Sequence, residues 1–143
     1  MPQKTVEITA HIANSYSVEL KARDHILMID QPQPVGQDAA PTPLEYFLFS
    51  LGGCFCTIAR QVAQQRKIKL RSVEAKIQAH INTDFLLGKT DDGRAGFTEI
   101  KIITSIDADL DQEAKEELVA EVEKRCPIAD NIINVSKIIV EVQ

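Results

Sequence analysis

Three side chains in this sequence can act as sulfur nucleophiles: Cys54, Cys56 and Cys126. A cysteine reacts as its thiolate, and a sulfenic acid formed on it can be captured by a second thiol as a disulfide. Three is an odd number, so in a reducing compartment they read as thiols or a redox couple rather than structural staples. Cys54 and Cys56 are two positions apart, and on a helix their side chains point roughly 200° away from each other. That pair cannot easily close a disulfide or hold one metal. Cys126 follows a charged segment and precedes Pro127, which discourages helical conformation in it, so it would lie at the mouth of whatever the next turn covers. Cys54 with Cys126 is therefore one candidate thiol pair. Core packing is the other reading of Cys54 and Cys56, because free cysteine is among the most buried residue types. His11, His25 and His80 fall on separate segments without the close spacing to cysteine that marks a zinc site. Neither a metal nor a cofactor is expected.

The element that must position Cys54 is the stretch from Thr42 to about Arg66. Between Glu45 and Arg60 lie fourteen residues without a charge, and their apolar side chains fall on every side of the helix they would form. Such a helix belongs in the middle of a core, and the uncharged stretch is shorter than the roughly 20 apolar residues needed to span a bilayer. Thr42, Pro43 and Glu45 spell its start: a cap, a first position that needs no N–H, and a capping box. From Pro43 to Arg66 the rise is about 36 Å, more than one small chain can cover, so two chains are expected around a pair of such helices. Gly52 and Gly53 weaken a helix interior by about 1 kcal/mol each and suggest the close approach of another backbone beside Cys54.

Around this helix the pattern alternates. Val6, Ile8, Ala10 and Ile12, then Tyr16, Val18, Leu20 and Ala22, then the run from His25 to Asp30 form a three-stranded antiparallel meander. A Pro-rich loop follows, QPQPVGQDAAPTP. After the helix, Val73 to Ile81 is a half-buried strand, Leu86 to Gly96 a polar loop, and Phe97 to Ile106 another strand. Asp109 or Asp111 can cap a second helix ending near Arg125. A short helical turn runs through Ile133, and Ile138, Ile139, Val140 and Val142 make a closing strand. The fold class is α+β, in a single domain over 1–143, without repeats.

A chain that is 44% hydrophobic and 26% charged fits a globular domain, and a net charge of −5 argues against nucleic acid or an anionic membrane surface as partner. The first ten residues contain no hydrophobic block, so neither leader nor anchor is expected, and a cytoplasmic location follows.

The segment DQPQPVGQDAAPTPLEYFLFSLGGC, together with Cys126-Pro127 after an acidic amphipathic helix, resembles the osmotically inducible and organic hydroperoxide resistance group, the OsmC/Ohr family. The resemblance covers about Val18 to Val142. It implies antiparallel sheets wrapped around a long buried central helix, in an intertwined homodimer. It also implies a peroxidase in which Cys54 attacks an organic hydroperoxide or hydrogen peroxide, Cys126 resolves the sulfenic acid, and a dithiol reductant reopens the disulfide. By the same resemblance Arg23 is the activating cation and Glu45 its carboxylate, although Glu45 is equally explained by the capping box. Cys56 matches no family cysteine. Phe47, Leu51 and Phe55 are the expected apolar lining. The alternatives are a non-catalytic binding module for a small ligand and a redox sensor.

Overall fold

The structure, a computed structural model, describes residues 1–143, which divide into two compact units, 1–49 and 50–143. In the N-terminal unit β1 (Thr9–Ile12), β2 (Val18–Ala22) and β3 (His25–Ile29) form an antiparallel sheet in that order, with Ile12 opposite Val18 and Ala22 opposite His25. This is the expected meander with a shorter first strand. Thr9 already pairs with Lys21, next to the last residue of β2, so no partner row remains for Val6, and both Val6 and Ile8 are exposed. Arg23 makes the β2–β3 turn in left-handed backbone, φ 55°, a region few non-glycine residues adopt.

The Pro-rich loop is wound around Asp30. Its buried carboxylate accepts backbone N–H groups from Gln31 (2.8 Å), Gln37 (3.2 Å) and Ala39 (3.1 Å), and its own N–H donates to the Pro41 carbonyl (3.2 Å). The Gln31 and Ala39 bonds lead in holding the carboxyl below its usual range, against the opposing effect of burial. Gly36 is required here, because a Cβ would collide with the Gln31 carbonyl and the Asp30 carboxylate. The loop delivers the chain to α1 (Pro43–Gln65). There the Glu45 N–H donates to Thr42 Oγ1 (3.2 Å) and the Thr42 N–H to Glu45 Oε1 (3.0 Å), which is the capping box the sequence spells.

In the second unit, β4 (Leu70–Ile81) and β5 (Phe97–Ala108) pair antiparallel, with Leu70 opposite Ala108 and Ile81 opposite Phe97. Between them lie α2 (Thr83–Leu86), a single turn absent from the sequence reading, and the polar loop, in which Gly88 and Gly93 take positive φ. The helix α3 (Gln112–Arg125) starts at Asp111, whose carboxylate accepts the Ala114 N–H at 2.8 Å. The other candidate cap, Asp109, is instead paired with Arg71. After α3 comes α4 (Pro127–Ile133). Phe55, Ala59 and Val62 of α1 pack with Leu118 and Val122 of α3, and Val73, Ala75, Ile102 and Ile106 supply the sheet side of this core. The period-two apolar rows of β4 and β5 point inward, as an alternating strand must.

One expectation needs correction within this chain. The closing strand is absent: 135–143 has no regular secondary structure, its apolar residues are exposed, and no ladder forms, because a strand exists only against a partner edge. The single chain covers Leu51, Phe55, Ala59, Val62 and Ala63 of α1 and leaves Leu44, Phe47 and Phe49 exposed, in line with a helix too long for one small chain to cover. By length and composition alone α1 could cross a membrane; its covered stripe is that of a core helix. Gly52 faces the Ile77 side chain, which a Cβ would meet at 3.4 Å, and Gly53 faces open space, so none of this chain's own backbone approaches them.

Candidate functional site: a thiol pair between α1 and α4

Folding of the second unit brings the Cys54 and Cys126 thiols into hydrogen-bond contact. Cys54 projects half-buried from α1, whereas Cys126 is 1% exposed. Cys126 ends α3 and begins α4, with φ −77° and ψ 110°, the extended conformation that a following proline enforces. Pro127 then takes the first helical position, and Cys126 Sγ accepts the Ala129 N–H at 3.4 Å. The thiol is thus the cap of α4, held where Cys54 meets it.

Cys54 lies in a setting that favours its protonated form. Burial first, and then the hydrogen bond to Cys126, push the Cys54 thiol up from its ordinary value. The Ile128 N–H works the other way by donating to Cys54. The neutral form of Cys54 is therefore favoured until a cation or a higher pH intervenes. Cys56 faces away, its thiol directed at the Val73 carbonyl at 3.9 Å, as two positions on a helix require.

Arg23 and Glu45 both belong to the N-terminal unit, Arg23 in the β2–β3 turn and Glu45 in the capping box. Of the expected lining residues, Phe55 is core, 2% exposed, and Phe47 is 43% exposed on the N-terminal part of α1. Leu51 does line a cavity of about 270 Å³, with Ile100, Ile102, Ala129, Ile132, Ile133 and Glu123. The contacts missed from sequence are the Ile128 and Ala129 amides, which carry no side-chain signal. The only available pointer was Pro127, which marks a helix start.

A family model described as OsmC-like protein matches residues 36–141. Among solved structures, an OsmC-like protein of Mycoplasma pneumoniae superposes with a TM-score of 0.81 at 21% identity, over 94% of this chain and 91% of that one. An organic hydroperoxide resistance protein of Legionella pneumophila gives 0.63 at 24% identity, over 92% and 91%. One from Elizabethkingia anophelis, with thiocyanate bound, gives 0.69 at 18%, over 90% and 88%. No curated protein matches by sequence. With the α+β architecture, the antiparallel sheets and the central helix all in place, the family match across most of the chain makes this protein a member of the OsmC-like family.

Proposed function

We propose that this protein is a cysteine-based peroxidase acting on organic hydroperoxides or hydrogen peroxide. The observation that carries the reading is the contact between Cys54 and Cys126. The Cys54 thiolate attacks the terminal peroxide oxygen, so an S–O bond forms as the O–O bond breaks and the alkoxide leaves as the alcohol after taking a proton. The Cys126 sulfur then displaces water from the sulfenic acid, forming the disulfide, and a dithiol reduces it back through a mixed disulfide. The cavity beside α4 takes the apolar part of the substrate.

Because the Cys54 thiol is pushed up by its surroundings, turnover at neutral pH needs a cation. Arg23 fills that role, with Glu45 orienting it. The working unit is a cytoplasmic homodimer. The exposed Leu44, Phe47 and Phe49, and the unpaired run of Ile138, Ile139, Val140 and Val142, are surfaces that a second copy would cover.

The test is one equivalent of cumene hydroperoxide followed by thiol counting and mass. The expected result is loss of two thiols, a Cys54–Cys126 disulfide, and turnover once a dithiol is supplied. Cys54→Ser abolishes turnover and Cys56→Ser does not; the reverse pattern would name the wrong sulfur. Arg23→Gln slows oxidation near pH 7, and alkaline pH restores the rate. Stoichiometric oxidation without turnover would mean a sensor, and unchanged thiols a binding module.

A further inference from the structure

The two sulfurs of the thiol pair also hold α4 in place. A helix start leaves its first backbone N–H groups without partners, and here the Ile128 N–H donates to Cys54 and the Ala129 N–H to Cys126 Sγ at 3.4 Å. The rest of the hold on this element is slight. α4 is seven residues long and none of them is buried, and a helix so short does not persist without outside contacts. Yet Ala129, Ile132 and Ile133 form one wall of the cavity of about 270 Å³, and Leu51, Ile100 and Ile102 supply the rest of its apolar lining.

We propose that α4 is a redox-operated wall of this cavity, closed over an apolar ligand while Cys54 and Cys126 are thiols and loosened once they are joined as a disulfide. The inference rests on the disulfide of the proposed cycle and adds what that bond does to the binding site.

The mechanics follow from which side can give way. A covalent S–S bond is much shorter than a hydrogen-bond contact between thiols, so closing it draws the sulfurs together. Cys54 is carried by α1 next to Phe55, which is packed with Leu118 and Val122 in the core. Cys126 joins α3, anchored by those same two residues, to α4, which buries nothing. The displacement therefore falls on the Cys126 side chain and the start of α4. As Sγ turns toward Cys54 it leaves the Ala129 N–H, and α4 loses its cap. Uncapping serves both halves of the cycle. The alcohol formed from the peroxide is released as its wall opens, and Cys126, 1% exposed in the closed form, becomes reachable by the dithiol. By linkage, an apolar ligand that prefers the closed form favours the dithiol state by the same factor.

Backbone hydrogen exchange over 127–134, read by mass spectrometry, tests this on the full chain. The disulfide is made with diamide, whose azo bond takes up two protons and two electrons from the thiols, so no peroxidase activity is needed. Oxidation is expected to speed exchange in 127–134 by about fivefold, the factor that a typical helix cap is worth, while 112–125 changes little. Cumyl alcohol, the product from cumene hydroperoxide, slows exchange in 127–134 of the reduced chain and has less effect on the oxidised one. Under reducing conditions Cys126→Ala, which removes the cap without a disulfide, exchanges like the oxidised chain. Cys126→Ser, whose hydroxyl can cap, exchanges like the reduced chain and does not respond to diamide. The proposal is overturned by unchanged or slower exchange after oxidation, by equal protection of both forms by the alcohol, by a Cys126→Ala chain as protected as the reduced one, or by failure of diamide to join Cys54 to Cys126. Faster exchange in the diamide-made disulfide of a chain that cumene hydroperoxide leaves unoxidised upholds the wall and rejects the peroxidase.

Discussion

The two ends of α1 are held by different physics. Its start is fixed by directed polar bonds: the reciprocal Thr42–Glu45 pair, and the Tyr46 hydroxyl donating to the Met28 carbonyl at 2.7 Å, while Phe47 and Phe49 remain open to solvent. Its second half is fixed by undirected burial, with Phe55, Ala59 and Val62 closed over by Leu118 and Val122. Hydrogen bonds place a helix end without covering its sides, and burial covers a side without choosing where the helix begins. Cys54 sits where the two regimes meet. Its position along the chain is set by the capped start, and its burial by the packed half.

That contrast can be tested by breaking each half in turn. Phe55→Ala should cost the most, about 3–5 kcal/mol of folding stability in urea denaturation, because this ring is 2% exposed within the cluster that holds Leu118 and Val122. Phe49→Ser should leave the helical signal intact yet shift the sedimentation equilibrium toward monomer, since this ring, 59% exposed, is not part of the single-chain core. A stability loss as large as that of Phe55→Ala and independent of concentration would show that the exposed half is covered within one chain. Thr42→Ala should cost about 1 kcal/mol by removing the cap, measurable by the same denaturation.

The smallest expected effect concerns Glu45. The Thr42 N–H, and then the Thr42 hydroxyl, hold its carboxyl below the usual range. A lowered folded value means the stabilisation is present above the ordinary carboxylate pKa and is lost as pH falls through the lowered one. Glu45→Gln should therefore differ from the unaltered chain in urea midpoint near about pH 6 and converge with it below about pH 3. A constant difference across that range would mean the charge does not matter to the cap.

Much of this arrangement was legible because it is local. Thr42, Pro43 and Glu45 spell a helix start within four positions, and the alternation from Val73 to Ile81 states which face of β4 is buried. Cys126-Pro127 marks a break and a restart. What lay beyond the sequence is what depends on residues distant in the chain. The meeting of Cys54 with Cys126 was implied only by the family resemblance, since no periodicity connects α1 with α4. Asp109 and Asp111 were equivalent as caps until Arg71, brought alongside by strand pairing, claimed Asp109. The run from Ile138 to Val142 has the composition of a strand, yet composition supplies no partner edge.

The bare C-terminal run has a practical consequence. A short segment rich in isoleucine and valine, with open backbone donors and acceptors, is a template for amyloid-like stacking. In the proposed homodimer, a fusion tag that blocks pairing of this run should therefore promote precipitation as well as subunit dissociation. Purification handles belong at Met1, and a lysine placed at Val140 is the substitution that should keep a solitary chain in solution.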